Sequence, residues 1–239
     1  MKRLGVNIDH IATIRNARGE NHPDIYNAAK YVLNSGANSV TIHLREDRRH
    51  ITDNDLKVIS SDKKIPLNLE LAANSNMLKI ALKRKPHYIC IVPEKRNEIT
   101  TEGGLNLKKN PNKLRNIIHK FKQKKIRTSL FINPSIADIH ISKYIGTDCV
   151  ELHTGRISRL MKNNKNIKNE YSKIKKCSKL AHKLGLEVHA GHGMDYNTAK
   201  LLSKINEIKE FNIGHFIIGE SIFLGFSKVI KEFKKIIKR

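Results

Sequence analysis

The chain alternates short apolar or β-branched runs with longer segments of helical period. Eight runs read as strands: Leu4–Asp9, Ser39–His43, Pro66–Glu70, Tyr88–Val92, Arg127–Phe131, Cys149–His153, Glu187–Ala190 and Phe211–Gly214. The clearest helix opens at Pro23 and Asp24, carries Ile25, Ala28, Ala29, Val32 and Leu33 on one face, and closes at Gly36. Pro111–Lys124, Ser135–Ile145 and Ile167–Leu184 read the same way, and a short helix starts near Thr52 and Asp53. Short links between strand and helix imply parallel strands, because parallel neighbours need a crossover between them. Eight such units in 239 residues predict an α/β fold closed into a (β/α)₈ TIM barrel, with residues 1–239 as a single domain. An open doubly wound sheet is the alternative, since Asp53–Ser60 is short for a crossover helix.

Composition narrows the function classes. Cys90, Cys149 and Cys177 share no CxxC or CxxH spacing, which argues against a disulfide framework or a cysteine zinc site and for a reducing compartment. The N-terminal MKRLGVNIDH turns polar too early for a signal peptide, and no apolar run approaches ~18 residues, so a cytoplasmic protein is expected. The formal charge of +24 comes mostly from lysines spread along the chain beside many Ile and Asn. A nucleic-acid footprint should be patchy and Arg-rich, so no nucleic-acid partner is expected. Phe226, Val229, Ile230, Phe233, Ile236 and Ile237 make the basic C-terminus amphipathic. A helix of that kind can lie on a membrane, but here it reads as the last barrel helix packing on its strand. Gly191-His-Gly193 lacks the third glycine of a dinucleotide fingerprint, and no P-loop is present.

Catalytic groups of such barrels sit at the C-terminal ends of the strands and just beyond. Those positions hold Asp9 and His10, His43, Glu70, Glu94, Glu151 and His153, His189 and His192, and His215. Half of the 12 histidines therefore fall where chemistry is placed. Ligation of a metal by Glu151, His153 and His192 is one use of such a cluster, as in a metal-dependent barrel hydrolase. However, the first strand lacks the HxH pair usual in those enzymes. Strand six, Cys-Val-Glu-Leu-His, offers no lysine for a Schiff base. General acid–base catalysis remains, with imidazole and a tuned carboxylate as the proton carriers. Two segments suit anions: His43-Leu-Arg45-Glu-Asp-Arg48-Arg49-His50, and the small stretch from Thr100 to Gly104. A loop closed by Arg45 on Glu46 or Asp47 is the plainer reading of the first. Gly214 and His215 lie where barrels commonly hold phosphate.

The strings GVNIDHIATIRNARG, TIHLREDRRHITD, VPEKR, TTEGGL, ELHTG, AGHG and NIGH together resemble the pyridoxine 5′-phosphate synthase family, in order from Gly5 to about Gly219. The resemblance implies a (β/α)₈ barrel with extra helices, assembled as a homo-octamer and needing no metal or organic cofactor. It implies condensation of 1-deoxy-D-xylulose 5-phosphate with 3-amino-2-oxopropyl phosphate to give pyridoxine 5′-phosphate, phosphate and water. By the same resemblance His43 and Glu70 accept protons, His192 donates one, and Glu151 stabilises a transition state. Asp9, His10, Arg45, His50 and Thr100 would hold the deoxyxylulose phosphate. Asn7, Arg18, Gly193, Gly214 and His215 would hold the aminoketone phosphate. Two features depart from the family pattern. His189 stands where Asn is expected and suits a supporting contact better than catalysis. The stretch Arg156–Lys168 is unusually basic and reads as a lid over bound phosphates or a drifted loop.

Overall fold

The computed structural model describes residues 1–94 and 103–238. Eight parallel strands close into a barrel in chain order: β1 (Arg3–Asn7), β2 (Ser39–His43), β3 (Leu67–Leu71), β4 (Tyr88–Ile91), β5 (Arg127–Ile132), β6 (Cys149–His153), β7 (Glu187–Gly191) and β8 (Ile208–Ile213). Pairing of β1 with β8, Leu4 opposite Phe211, shuts the ring. Closure therefore replaces the open-sheet alternative.

The helices among the described residues are α1 (Asp9–Arg18), α2 (Ile25–Asn34), α3 (Asp53–Ser61), α4 (Ser75–Arg84), α5 (Pro111–Gln123) and α6 (Ile136–Ile145). They continue with α7 (Gly155–Lys162), α8 (Lys168–Lys183), α9 (Tyr196–Leu202), α10 (His215–Leu224) and α11 (Phe226–Ile237). Two helices rather than one follow β1, β6 and β8. Asp24 caps α2 by accepting from the Asn27 N–H at 2.7 Å, as its position after the strand–loop boundary requires. The short α3 is secured by a capping box between Thr52 and Asp55. The amphipathic C-terminus is a barrel helix: Val229, Ile230, Phe233 and Ile237 of α11 are buried, against β1, α9 and α10.

Strand alternation here is inverted relative to an oil-filled barrel. Leu4, Val6, Val40, Ile42, Leu69, Ile89, Leu130, Val150, Leu152 and Val188 are fully buried between strands and helices, in one continuous apolar layer. The alternate positions point into the ring and are mostly polar: Asn7, Thr41, His43, Asn68, Glu70, Ser129, Glu151, His189, Glu210 and Asn212. Contacts between strands that are not neighbours fix that direction. Asn212 of β8 reaches Glu151 of β6, and Cys90 of β4 lies 4.0 Å from the same carboxylate. A small apolar cluster of Cys90, Val92 and Phe131 is the exception. Each inward polar group needs a partner, and these partnerships build the site.

Candidate active site

His43 and Glu70 end adjacent strands and are paired in register. His43 Nδ1 lies 3.8 Å from Glu70 Oε2, and its Nε2 lies 3.6 Å from Glu94 Oε2. The His43 backbone N–H donates to Asp9 Oδ1 at 2.8 Å, while Asn7 Nδ2 donates to Asp9 Oδ2 at 3.0 Å. Both oxygens of Asp9 are thus committed to holding β1 and β2 in place. Burial, with Glu151 and Asp9 nearby, pushes the Glu70 carboxyl well above the ordinary carboxylate range. A carboxyl that holds its proton beyond the ordinary carboxylate range is suited to give one and take one back.

Glu151 stands across the ring, accepting from Asn212 Nδ2 at 2.7 Å. Burial raises its carboxyl to about 7, against the opposing pull of His189 and Asn212. The space it fills exists because residue 191 is glycine: a Cβ there would come within 1.8 Å of Glu151 Oε1. His192 follows with a left-handed backbone, φ 78°, uncommon for a side chain of its size. Thr154 Oγ1 pins it by donating to the His192 carbonyl at 2.7 Å. The His192 ring lies 4.9 Å from that of His153. Burial, then His192 and Arg159, depress the His153 imidazole to about 4.

A third group gathers at the start of α1. The ring of His10 sits 5.5 Å from His50 and 5.2 Å from His215, edge-on to both. Burial lowers the pKa of His10 and of His50, although Asp9 resists in each case. Arg45 is buried within 3.6 Å of Asp47 and 3.9 Å of Glu94. The expected Arg45–Asp47 contact is therefore present, but inside the mouth rather than on a surface loop. Gly214 lies against Asn7, where a Cβ would meet the side chain at 2.9 Å.

Asn7, Asp9, His10, His43, Arg45, His50, Glu70 and His215 come together on the β1–β3 and β8 side, while Glu151, His192 and Gly193 complete the mouth on the other. Arg18 does not join them. It is the last residue of α1 rather than part of a loop, is largely exposed, and pairs with Glu20 at 3.4 Å. Thr100 lies outside the described residues. His189 is not a strand-end residue: it faces the opposite half of the barrel, where it bonds Glu187 at 2.8 Å and approaches Glu210 at 3.7 Å. Burial opposes its charge, but Glu210, Cys149 and Glu187 outweigh burial and hold it up to about 10. That makes it an internal cation beneath Glu151. Glu94, placed by the sequence just after the fourth strand without a role, has its carboxylate buried against His43 and Arg45.

The histidines and carboxylates weighed as metal ligands are not the ones that converge. Among the described residues, Asp9, His43 and Glu70, and separately Cys149, Glu187 and His189, bring ligating atoms within 4.8 Å of one another. Arg3 and Arg127 bond Glu187, putting two cations beside the second group. The stretch after β6 begins as a helix rather than an irregular loop. This helix, α7, lines a cavity of about 660 Å³ opening beside His153, His192 and Gly193.

Comparison with known proteins gives a consistent result. The profile of the family described as "Pyridoxal phosphate biosynthesis protein PdxJ" matches residues 4–239. The chain is 63% identical to the pyridoxine 5′-phosphate synthase of Pelagibacter ubique over 99% of both chains. It is 46% identical to that of Blochmanniella floridana over 98% of this chain and 95% of the relative. Among solved structures, N-(5′-phosphoribosyl)anthranilate isomerase from Pyrococcus furiosus superposes with a TM-score of 0.62, covering 100% of this chain and 99% of that one. Its identity of 13% shows a shared barrel fold alone.

Proposed function

The chain belongs to the family of the pyridoxal phosphate biosynthesis protein PdxJ, and from that premise we infer that the barrel mouth closes a pyridine ring. It condenses 1-deoxy-D-xylulose 5-phosphate with 3-amino-2-oxopropyl phosphate, releasing pyridoxine 5′-phosphate, phosphate and water. Imine formation, the eliminations and aromatisation are proton transfers beside a carbonyl or imine, and they need no net oxidant. The observation that carries the reading is the His43–Glu70 pair, 3.8 Å apart on adjacent strands, with the carboxyl pushed well above its ordinary range.

In this mechanism Glu70 takes and returns protons at the amine and imine, and His43 removes carbon-bound protons. The strained turn at Gly191–Gly193 presents His192 as proton donor to a leaving oxygen. Glu151 offsets positive charge that develops on the condensing nitrogen. Asp9, His10, Arg45, His50 and Thr100 hold the deoxyxylulose phosphate; Asn7, Gly193, Gly214 and His215 hold the aminoketone phosphate, and Arg18, exposed and paired with Glu20, is left out of that anchor. The buried Arg45 and the trio of histidines around His10 support this side as an ester-phosphate anchor. Residues 1–239 act as one catalytic domain.

No helix among the described residues is long and apolar enough to cross a membrane, and three buried free cysteines support a cytoplasmic setting. Assembly as a homo-octamer is supported by exposed apolar side chains, Phe223 at 84% and Ile222 at 70%.

The test mixes the protein with both phosphorylated substrates and measures pyridoxine 5′-phosphate and released phosphate together. Both should appear in equal amounts. Glu70→Gln should bind deoxyxylulose phosphate within about twofold of wild type yet lose ~10²–10⁴ in kcat. Folded protein that forms neither product overturns the activity, and loss of binding in Glu70→Gln makes Glu70 structural.

A further inference from the structure

The cavity beside His192 has a charge imbalance that the anchor residues do not explain. Its wall is α7, whose Ile157 is fully buried while Arg156, Arg159 and Lys162 recur every three residues along one stripe. Lys173 enters from α8, and His153 and His192 form the inner end. Glu170 is the carboxylate among the described lining residues, and it is already engaged by Arg156 at 3.4 Å. Arg159, Lys162 and Lys173 therefore add charge with no carboxylate against them among the described residues. Burial and Arg159 keep His153 neutral, so its ring can donate one hydrogen bond without adding charge. At about 660 Å³ the space is roomy for a small anion and its water. Thr154 does not cap α7, since its hydroxyl donates to Gly191 and His192 carbonyls instead. The first N–H groups of the helix are left unclaimed by a cap.

We propose that this cavity is a further anion site, bordering Gly193 of the aminoketone anchor but lying beyond the anchors on β1, β2 and β8, that takes a phosphoryl dianion at the β5–β7 side of the mouth. The proposal rests on the ring-closing reaction only for the source of that dianion. Two sources share this chemistry: phosphate released in the reaction, or the ester phosphate of a substrate on its way in. Exposed cations from two helices line the cavity that the proposed proton donor also lines. A dianion parked there is drawn out of the reaction centre by the stripe Arg156, Arg159 and Lys162, which leads away from it along α7.

The test uses the triple variant Arg159→Gln/Lys162→Gln/Lys173→Gln. Its control is Lys228→Gln/Lys231→Gln/Lys235→Gln on the exposed side of α11, which removes the same net charge elsewhere. Inorganic phosphate is titrated into each full-length protein by calorimetry at fixed ionic strength, with chloride as the competing anion. The cavity variant should bind phosphate about tenfold more weakly than wild type, and the α11 variant within twofold. Steady-state kinetics then separates the sources. Weakened inhibition by phosphate with unchanged KM values assigns the site to released phosphate; a rise in KM for one substrate assigns it to that ester. Equal phosphate affinity in wild type and the cavity variant, or an equal loss in the α11 control, overturns the proposal. Direct binding of phosphate does not depend on turnover, so failure here leaves the ring-closing activity standing, and the reverse also holds.

Discussion

Two carboxyls set the character of the mouth, and Glu151 is the one whose shift defines a pH window to test. Burial lifts it from about 4.5 to about 7, while Asn212 and the His189 cation hold it from rising further. A carboxyl raised in the folded state favours folding below its ordinary value, and that contribution is lost as pH climbs through the raised one. Glu151→Gln removes this titration while keeping an acceptor for Asn212. The variant's melting temperature minus that of wild type should grow between about pH 4.5 and 7.5 and then level, while turnover falls. A difference that stays flat through this window would show that Glu151 does not ionise there. At this scale the sequence was legible wherever a residue type and a strand end coincide, as at His43, Glu70, Glu151 and His215. The roles of Glu94 and His189 were not legible, for opposite reasons. Glu94 becomes a site neighbour only because the chain folds its carboxylate under His43. His189 is adjacent in sequence to the mouth but, lying two residues before the end of β7, faces the charged floor formed with Glu187 and Glu210.

Between residue and barrel, helices brace the loop that carries Arg45 and His50, two of the proposed anchor groups. Arg15 of α1 donates to both oxygens of Asp55, at 2.6 and 2.9 Å, and Asp55 also caps α3. Arg15 and Asn16 together hold the His50 carbonyl, at 3.3 and 2.9 Å. One buried carboxylate therefore ties α1, α3 and the His50 loop together. Asp55→Ala strips the cap and leaves a guanidinium unpaired inside the protein, a change that costs ~3–5 kcal/mol by analogy with other broken buried pairs. Urea unfolding should report that loss, and KM for deoxyxylulose phosphate should rise more than kcat falls, because the damage is to an anchor. Wild-type stability in this variant would sink the argument; so would a fall confined to kcat. The sequence pattern disclosed α2, α5, α6 and α8 almost to the residue. It did not disclose α1, whose first residues Asp9 and His10 were drawn into the preceding strand. Nor did it disclose α10, HFIIGESIFL, where apolar residues surround the helix and leave no stripe to read. In both, the strand–helix junction falls on residues proposed to hold substrate, and polar demands there override the periodic signal.

For the whole molecule, barrel closure was readable from eight alternations, but the way copies meet was not. Five exposed apolar side chains lie on α1, α2 and α10, with α1 in contact with both of the others: Ile14, Tyr31, Ile222, Phe223 and Leu224. Against their association stands a formal charge of +24 on every copy. Like charges of this size repel over a Debye length, about 10 Å at 0.1 M salt and about 30 Å at 0.01 M. An assembly held by apolar burial and opposed by charge should therefore strengthen as salt is added, the reverse of one held by ion pairs. Sedimentation velocity from about 20 to 300 mM salt should show the weight-average mass rising toward the full assembly. Phe223→Glu, which puts a charge into the apolar patch, should hold the protein at smaller species throughout, with its circular dichroism unchanged. Dissociation by added salt, or full assembly of Phe223→Glu, would place the contact between copies elsewhere and make ion pairs its main support.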